Sequence, residues 1–151
     1  MKPMKVYVRG YKGAGFGSSF IKRFTFGSYS HVSLVFHMHS APQEIESIQG
    51  KGLIEHAPYT PEEKVFDEWF VPLTYEQIVD THILAMSLLG AKYDWQGIWG
   101  FLRRKKTHSK DKFFCSELVA FVLLKAGYPL SRREPYRETP SSVCESLRLM
   151  S

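Results

Sequence analysis

Apolar and polar residues alternate along residues 31–38, in the order HVSLVFHM. Every second residue from Val32 to Met38 is apolar, whereas His31 and Ser33 fall on the opposite face. Side chains of a β-strand point alternately to its two faces, so this alternation is typical of a strand with one face in the core. We therefore predict a strand here, with His31 at its first position.

Three shorter segments also have the composition of strands. They are residues 4–8, 53–57 and 65–73, which are rich in Val, Leu, Ile and aromatic residues. Residues 41–52, in contrast, contain Pro, Gln, Glu and Gly, and we predict a polar connection there. The strands at 31–38 and 53–57 are therefore expected to be antiparallel neighbours.

The second half of the chain has the signals of helices. Thr74 is placed to cap a long helix, Gln77 occupies the capping-box position, and Gly90 marks the end. Three more helices are predicted. Residues 93–102 form an aromatic helix, residues 113–126 a nearly all-apolar and therefore buried helix, and residues 139–150 a C-terminal helix. The pattern predicts an α+β fold, with a small antiparallel sheet packed against the two longest helices.

The composition agrees with one folded domain spanning residues 1–151. Of the 151 residues, 44% are hydrophobic and 15% aromatic, which is enough for a compact core. No motif predicts a cofactor. His31, His37 and His39 have strand spacing, but no carboxylate or cysteine stands beside them at ligand spacing, so we predict no metal site.

The net charge of +5 favours weak attraction to anionic partners. The basic run at residues 103–106 is interpreted as a solvated loop, so nucleic acid is not the expected partner. No apolar segment precedes Gly10 as a secretory signal would, and no apolar run approaches the roughly 20 residues of a membrane span. We therefore expect a protein made in the cytoplasm without stable membrane insertion, which leaves open a phage-encoded protein or one delivered to the cell envelope.

Two cysteines, Cys115 and Cys144, are too few for a disulfide framework. Cys115 stands at the start of the apolar helix, where unsatisfied backbone N–H groups and the helix dipole favour a thiolate. It is therefore a candidate nucleophile, although a buried structural cysteine is the alternative. Cys144 is interpreted as a structural residue.

A cysteine nucleophile needs a base and a group that orients the base. His31 is the candidate base because its ring, at the start of a strand, can leave the edge of the core. Glu55 and His56 on the strand at 53–57 are candidates for the orienting group. Being adjacent, they point to opposite faces of that strand, so only one of them can serve.

At these residues the chain resembles the YiiX-like permuted papain-like amidases, within the superfamily of NlpC cell-wall peptidases and lecithin:retinol acyltransferases. The matching segments are SHVSLV at 30–35, LIEHAP at 53–58, Tyr93-Asp94 with Gly97, FCSELV at 114–119 and TPSS at 139–142. The order is histidine, then acid, then cysteine. In ordinary papain-like enzymes the cysteine comes first, so the resemblance implies a circularly permuted papain-like fold.

The resemblance implies a cysteine amidase or peptidase that forms an acyl-enzyme, with peptide or acyl substrates that include cell-wall peptides. It implies that Cys115 is the nucleophile, that His31 is the general base and then acid, and that Glu55 orients His31 Nδ1–H, with His56 as the alternative. Tyr93 resembles a residue that lines the oxyanion site, with a core aromatic as its alternative. A lipid-directed thioesterase or acyltransferase and a non-catalytic binding module are the other functions considered.

Overall fold

The structure is a computed structural model, and it describes residues 2–12, 28–48, 52–90 and 114–151. These residues form an α+β fold, as predicted. The strands are β1 (Lys5–Tyr11), β2 (His31–His37), β3 (Gln43–Ile48), β4 (Gly52–His56) and β5 (Phe66–Val71). The helices are α1 (Tyr75–Gly90), α2 (Phe114–Lys125) and α3 (Pro140–Met150), and a short 3-10 turn covers Pro135–Arg137.

The five strands form one open antiparallel sheet in the order β4-β3-β2-β1-β5. β2 lies at its centre, and its register with β1 runs from Lys5 opposite His37 to Tyr11 opposite His31. β5 pairs with the other side of β1 and places Phe66 opposite Tyr11. The first residue of β2 is therefore at the same end of the sheet as the last residue of β1.

The polar connection predicted for residues 41–52 is wrong, because much of it is strand β3. β3 pairs with both β2 and β4, so the two strands that were expected to be neighbours are separated by it. The strand contains Glu44 and Glu46, whose side chains are fully buried. Acidic residues favour a solvated loop unless partners satisfy their charge, and here other parts of the chain supply those partners.

One face of the sheet is apolar and carries the core. Val8, Leu34 and Ile45 are fully buried on this face and form one hydrophobic cluster with the three helices. α2 packs across β2 and β3, and its own Leu118 and Val122 are fully buried. This packing agrees with the nearly all-apolar sequence of α2 and brings the helix against the centre of the sheet.

The capping signals predicted for the start of α1 are confirmed. Gln77 N donates to Thr74 Oγ1 at 3.2 Å, and Thr74 N donates to Gln77 Oε1 at 2.9 Å. Gln77 Nε2 also donates to Ala126 O at 2.8 Å, which links the start of α1 to the end of α2. Gly127 follows with a φ of 82°, the left-handed conformation that commonly ends a helix.

Some predictions fall outside the described residues: Tyr93, the aromatic helix at 93–102 and the basic run at 103–106. Within the described ranges, no helix is both long and apolar enough to cross a membrane.

Candidate active site

The structure brings Cys115 and His31 together. Cys115 is the second residue of α2 and His31 is the first residue of β2, so the contact forms where a helix start meets the end of the sheet. The Cys115 thiol lies close enough to the His31 ring for its charge to raise the pKa of that imidazole. Both side chains are also nearly enclosed, with 4% of Cys115 and 3% of His31 exposed. A thiol and an imidazole in contact are the two groups that nucleophilic cysteine chemistry requires.

Glu46, rather than Glu55, lies beside His31. Glu46 Oε1 is 3.3 Å from His31 Nε2, which is an ion-pair distance, and its carboxylate is fully buried. The structure thus places a thiol, an imidazole and a carboxylate in series, and the carboxylate faces His31 Nε2 instead of the expected Nδ1.

The placement expected for Glu55 is wrong. Its backbone pairs with Ile45 in the sheet, while Glu46 pairs with Ile54, so Glu55 points to the opposite face from Glu46. Its side chain is exposed. The error follows from the missed strand, since β3 stands between β4 and His31. The alternation of acidic and apolar residues over Glu44, Ile45 and Glu46 was the signal that could have identified Glu46.

His56, the alternative to Glu55, lies on the same face as Glu46. Its Nε2 is 2.6 Å from Glu46 Oε2, whereas His31 faces the other carboxylate oxygen, Oε1. Its Nδ1 is 2.6 Å from Ala57 O. Glu46 is therefore held between two imidazoles, one on β2 and one at the end of β4.

The charges of these groups stabilise one another. Burial acts to lower the pKa of His31, but the charge and hydrogen bond of Cys115, together with Glu46, raise that pKa to about 9. Burial acts to raise the pKa of Glu46, but its bonds to His31 and His56 hold that pKa below its usual range. At neutral pH the arrangement therefore favours an imidazolium between a carboxylate and the sulfur.

Glu44 forms a second buried acidic centre next to Glu46. Its Oε1 accepts from Ser33 Oγ at 2.6 Å and from Tyr11 Oη. Its Oε2 accepts from Tyr59 N at 3.1 Å and lies 3.7 Å from Arg9 Nη1. These bonds join β1, β2, β3 and the segment after β4. The ring centroid of Tyr11 is 5.8 Å from that of His31, so this network also contacts one side of the His31 ring.

The oxygen and nitrogen atoms of Glu44, Glu46 and His56 lie close enough to hold a metal ion, within 4.8 Å of one another. Their existing contacts oppose that use. A cation there would have to displace Ser33 and Tyr11 from Glu44 and would face the ring of His56, whose nitrogens already meet oxygen atoms. The donor set fits internal hydrogen bonding better than metal binding.

Cys144 has the character of a packed core residue. It lies in α3 and is 1% exposed. A Cβ atom added at Gly10 would collide with its sulfur, so the thiol packs directly on the backbone of β1. Burial, followed by the proximity of Cys115, raises the pKa of this thiol. Both observations favour a neutral, unreactive thiol.

Comparisons of the chain with protein-family models, with curated proteins and with solved structures find no match. Tyr93 lies outside the described residues, so its suggested place at the oxyanion site stays a prediction. The function is therefore inferred from the geometry of Cys115, His31 and Glu46.

Proposed function

We propose that this protein is a cysteine-dependent amidase or peptidase in which Cys115 is the nucleophile, His31 the base and Glu46 the group that orients the base. The observation that carries the proposal is the buried series from Cys115 through His31 to Glu46. A core cysteine does not need a histidine, and a core histidine does not need a thiol on one side and a carboxylate on the other. Nucleophilic catalysis needs all three.

The reaction begins with the thiolate of Cys115 and the imidazolium of His31. The sulfur attacks the carbonyl carbon of an amide, the C–N bond breaks, and His31 gives its proton to the departing amine. The product on the enzyme is a thioester. His31, now neutral, takes a proton from a water molecule, whose oxygen attacks the thioester carbon. The C–S bond breaks, the acid is released, and the thiolate and imidazolium are restored.

Two other features support this chemistry. Cys115 lies in the first turn of α2, where backbone N–H groups lack helical acceptors and can stabilise the oxyanion of the tetrahedral intermediate. Glu46 keeps the His31 ring in one orientation and stabilises its cationic form, as the third member of a catalytic triad does.

The chain order supports a permuted papain-like fold as part of the proposal. His31 comes first, Glu46 second and Cys115 last, and the cysteine helix packs against the strand of the histidine. With Glu46 as the acid, the order of histidine, acid and cysteine is the same as in the resemblance based on Glu55. Peptide amides, including those of cell-wall peptides, are the proposed substrates.

Electrophilic probes with different acyl parts test the proposal. Because Cys115 is only 4% exposed, small probes are the appropriate starting point. We expect peptide-derived electrophiles to form a covalent adduct on Cys115, identified by mass spectrometry of the digested protein, and Cys115→Ser to abolish it. Adducts with fatty-acyl electrophiles alone would favour the lipid-directed enzyme. Absence of any adduct on Cys115 would favour the binding module.

A further inference from the structure

The second imidazole at Glu46 is not required by a three-residue mechanism. His56 Nε2 lies 2.6 Å from Glu46 Oε2, closer than the 3.3 Å between Glu46 Oε1 and His31 Nε2. The shorter contact suggests that His56 determines where the carboxylate sits. His56 is also the more accessible of the two rings, since 24% of its side chain is exposed whereas His31 is nearly enclosed.

The contacts of His56 determine its protonation state. Nδ1 meets the carbonyl oxygen of Ala57 at 2.6 Å, and a carbonyl oxygen can only accept. Nε2 meets the carboxylate of Glu46, which when ionised also only accepts. Both nitrogens must therefore carry a proton for both hydrogen bonds to exist. The geometry is that of an imidazolium, and a neutral His56 would lose one of the two bonds.

We propose that His56 is a positioning residue that holds Glu46 against His31, so that the reactivity of Cys115 depends on the protonation of His56. The inference rests on the proposed function, because it assigns His56 a role in preparing the same thiolate. It extends the series to four residues, Cys115, His31, Glu46 and His56, of which the last is partly exposed to solvent. The solvent pH can therefore act on the site through His56.

The groups around His56 favour its cationic form. Glu46 and Glu44 face it from β3, and the ring of Tyr59 lies 4.5 Å from the imidazole centroid. Tyr59 adds no charge near neutral pH, because burial and the two carboxylates raise its pKa to about 12. Two other cations contact the same carboxylates: Arg9 Nη1 lies 3.7 Å from Glu44 Oε2, and His31 Nε2 lies 3.3 Å from Glu46 Oε1.

The direction of the pH effect follows from these contacts. Burial acts to lower the pKa of His56, but its hydrogen bonds to Ala57 and Glu46 and the two carboxylate charges raise the pKa above 6.5. The doubly bonded cation is therefore present below that raised pKa and is lost as the pH rises through it. Deprotonation removes one of the two hydrogen bonds and the positive charge beside Glu46, and both losses loosen the carboxylate that orients His31.

Two substitutions at His56 separate positioning from general structural support. His56→Ala removes the donor to Glu46, whereas His56→Gln keeps an N–H group that can reach the carboxylate but cannot titrate. His39→Ala is the matched control, because His39 is an exposed histidine beside Tyr75. The readout is the rate at which iodoacetamide modifies Cys115 between pH 5.5 and 9, compared with the rate for a small free thiol.

We expect His56→Ala to slow modification of Cys115 at pH 7 by roughly tenfold, in line with the rate losses that follow from misplaced catalytic groups. His56→Gln should recover most of the rate at pH 7 and should lack the step in the pH profile that the native protein shows when His56 loses its proton. His39→Ala should behave as the native protein does. A melting temperature for each variant shows whether it is folded, and the comparison of the native and His56→Gln pH profiles provides the test even if His56→Ala does not fold.

The outcomes distinguish this inference from the proposed function. If Cys115 reacts no faster than a free thiol and His31→Ala does not slow it, the proposed function is wrong. If Cys115 is activated by His31 but the rate profile of folded His56→Gln is indistinguishable from the native profile, the role of His56 is overturned. Equal slowing by His56→Ala and His56→Gln at every pH would also overturn it, because positioning by an N–H donor requires rescue by glutamine.

Discussion

Replacing Glu46 with Gln should impair the site while leaving its shape nearly unchanged. The two side chains have similar volumes, but Gln is neutral and presents an N–H₂ group where one of the carboxylate oxygens of Glu46 faces an imidazole. His31 Nε2 and His56 Nε2 both face the carboxylate, at 3.3 Å and 2.6 Å. At least one of these rings would then lose an acceptor, and the imidazolium of His31 would lose its buried counter-charge.

The size of the effect follows from the pKa of His31. The rise from 6.5 to about 9 corresponds to roughly 3 kcal/mol in favour of the imidazolium, at about 1.4 kcal/mol per pKa unit. Cys115 contributes more of that rise than Glu46 does. If Glu46 supplies about 1 kcal/mol of it, Glu46→Gln should slow alkylation of Cys115 at pH 7 about three- to tenfold. Breaking a buried ion pair should also destabilise the fold by about 3 kcal/mol.

The assay is the rate of iodoacetamide modification of Cys115, together with urea unfolding of the same variant. The difference from the native protein should shrink above pH 9, where thiols ionise without assistance. Glu55→Gln is the matched control: the same chemical change on an exposed side chain of the other sheet face, which should alter stability by less than about 0.5 kcal/mol. If Glu55→Gln slows Cys115 and Glu46→Gln does not, the assignment of Glu46 is refuted.

Two further predictions concern stability. Gly10→Ala should destabilise the protein by about 1–3 kcal/mol, because the added methyl group meets the sulfur of Cys144 and the ring of Tyr29. A melting temperature equal to that of the native protein would contradict this packing. The free energy of unfolding should decrease as the pH rises from 6.5 through about 9, since the folded state holds the proton on His31 more tightly than the unfolded state does. Urea unfolding from pH 6 to 9.5 measures this, and His31→Gln should flatten the dependence.

Local signals predicted most of the secondary structure. The alternation after His31 identified β2, and Thr74 with Gln77 identified the start of α1. Such signals are short-range because alternation and capping involve residues only two to four positions apart. They were sufficient for the α+β class and for the approximate position of each helix within the described residues.

The carboxylate of the site, Glu46, could not be predicted from such local signals. Glu46 is buried because His31, 15 residues earlier, and His56, 10 residues later, compensate its charge. Its neighbour Glu44 depends likewise on Tyr11, which is 33 residues away. A strand with two acids resembles a loop until those partners are known. With β3 interpreted as a connection, β4 is the strand that offers an acid beside the histidine strand, and its Glu55 faces away from the site.

The most direct test of the central claim is the relative reactivity of the two cysteines, Cys115 and Cys144, in the native protein and in His31→Ala. Each is labelled with iodoacetamide at pH 7 and quantified by mass spectrometry, with the melting temperature measured in parallel. The account predicts that Cys115 reacts faster than Cys144 by at least about tenfold and that His31→Ala removes most of that advantage. Equal rates for the two thiols, or an unchanged rate for Cys115 in folded His31→Ala, would contradict it.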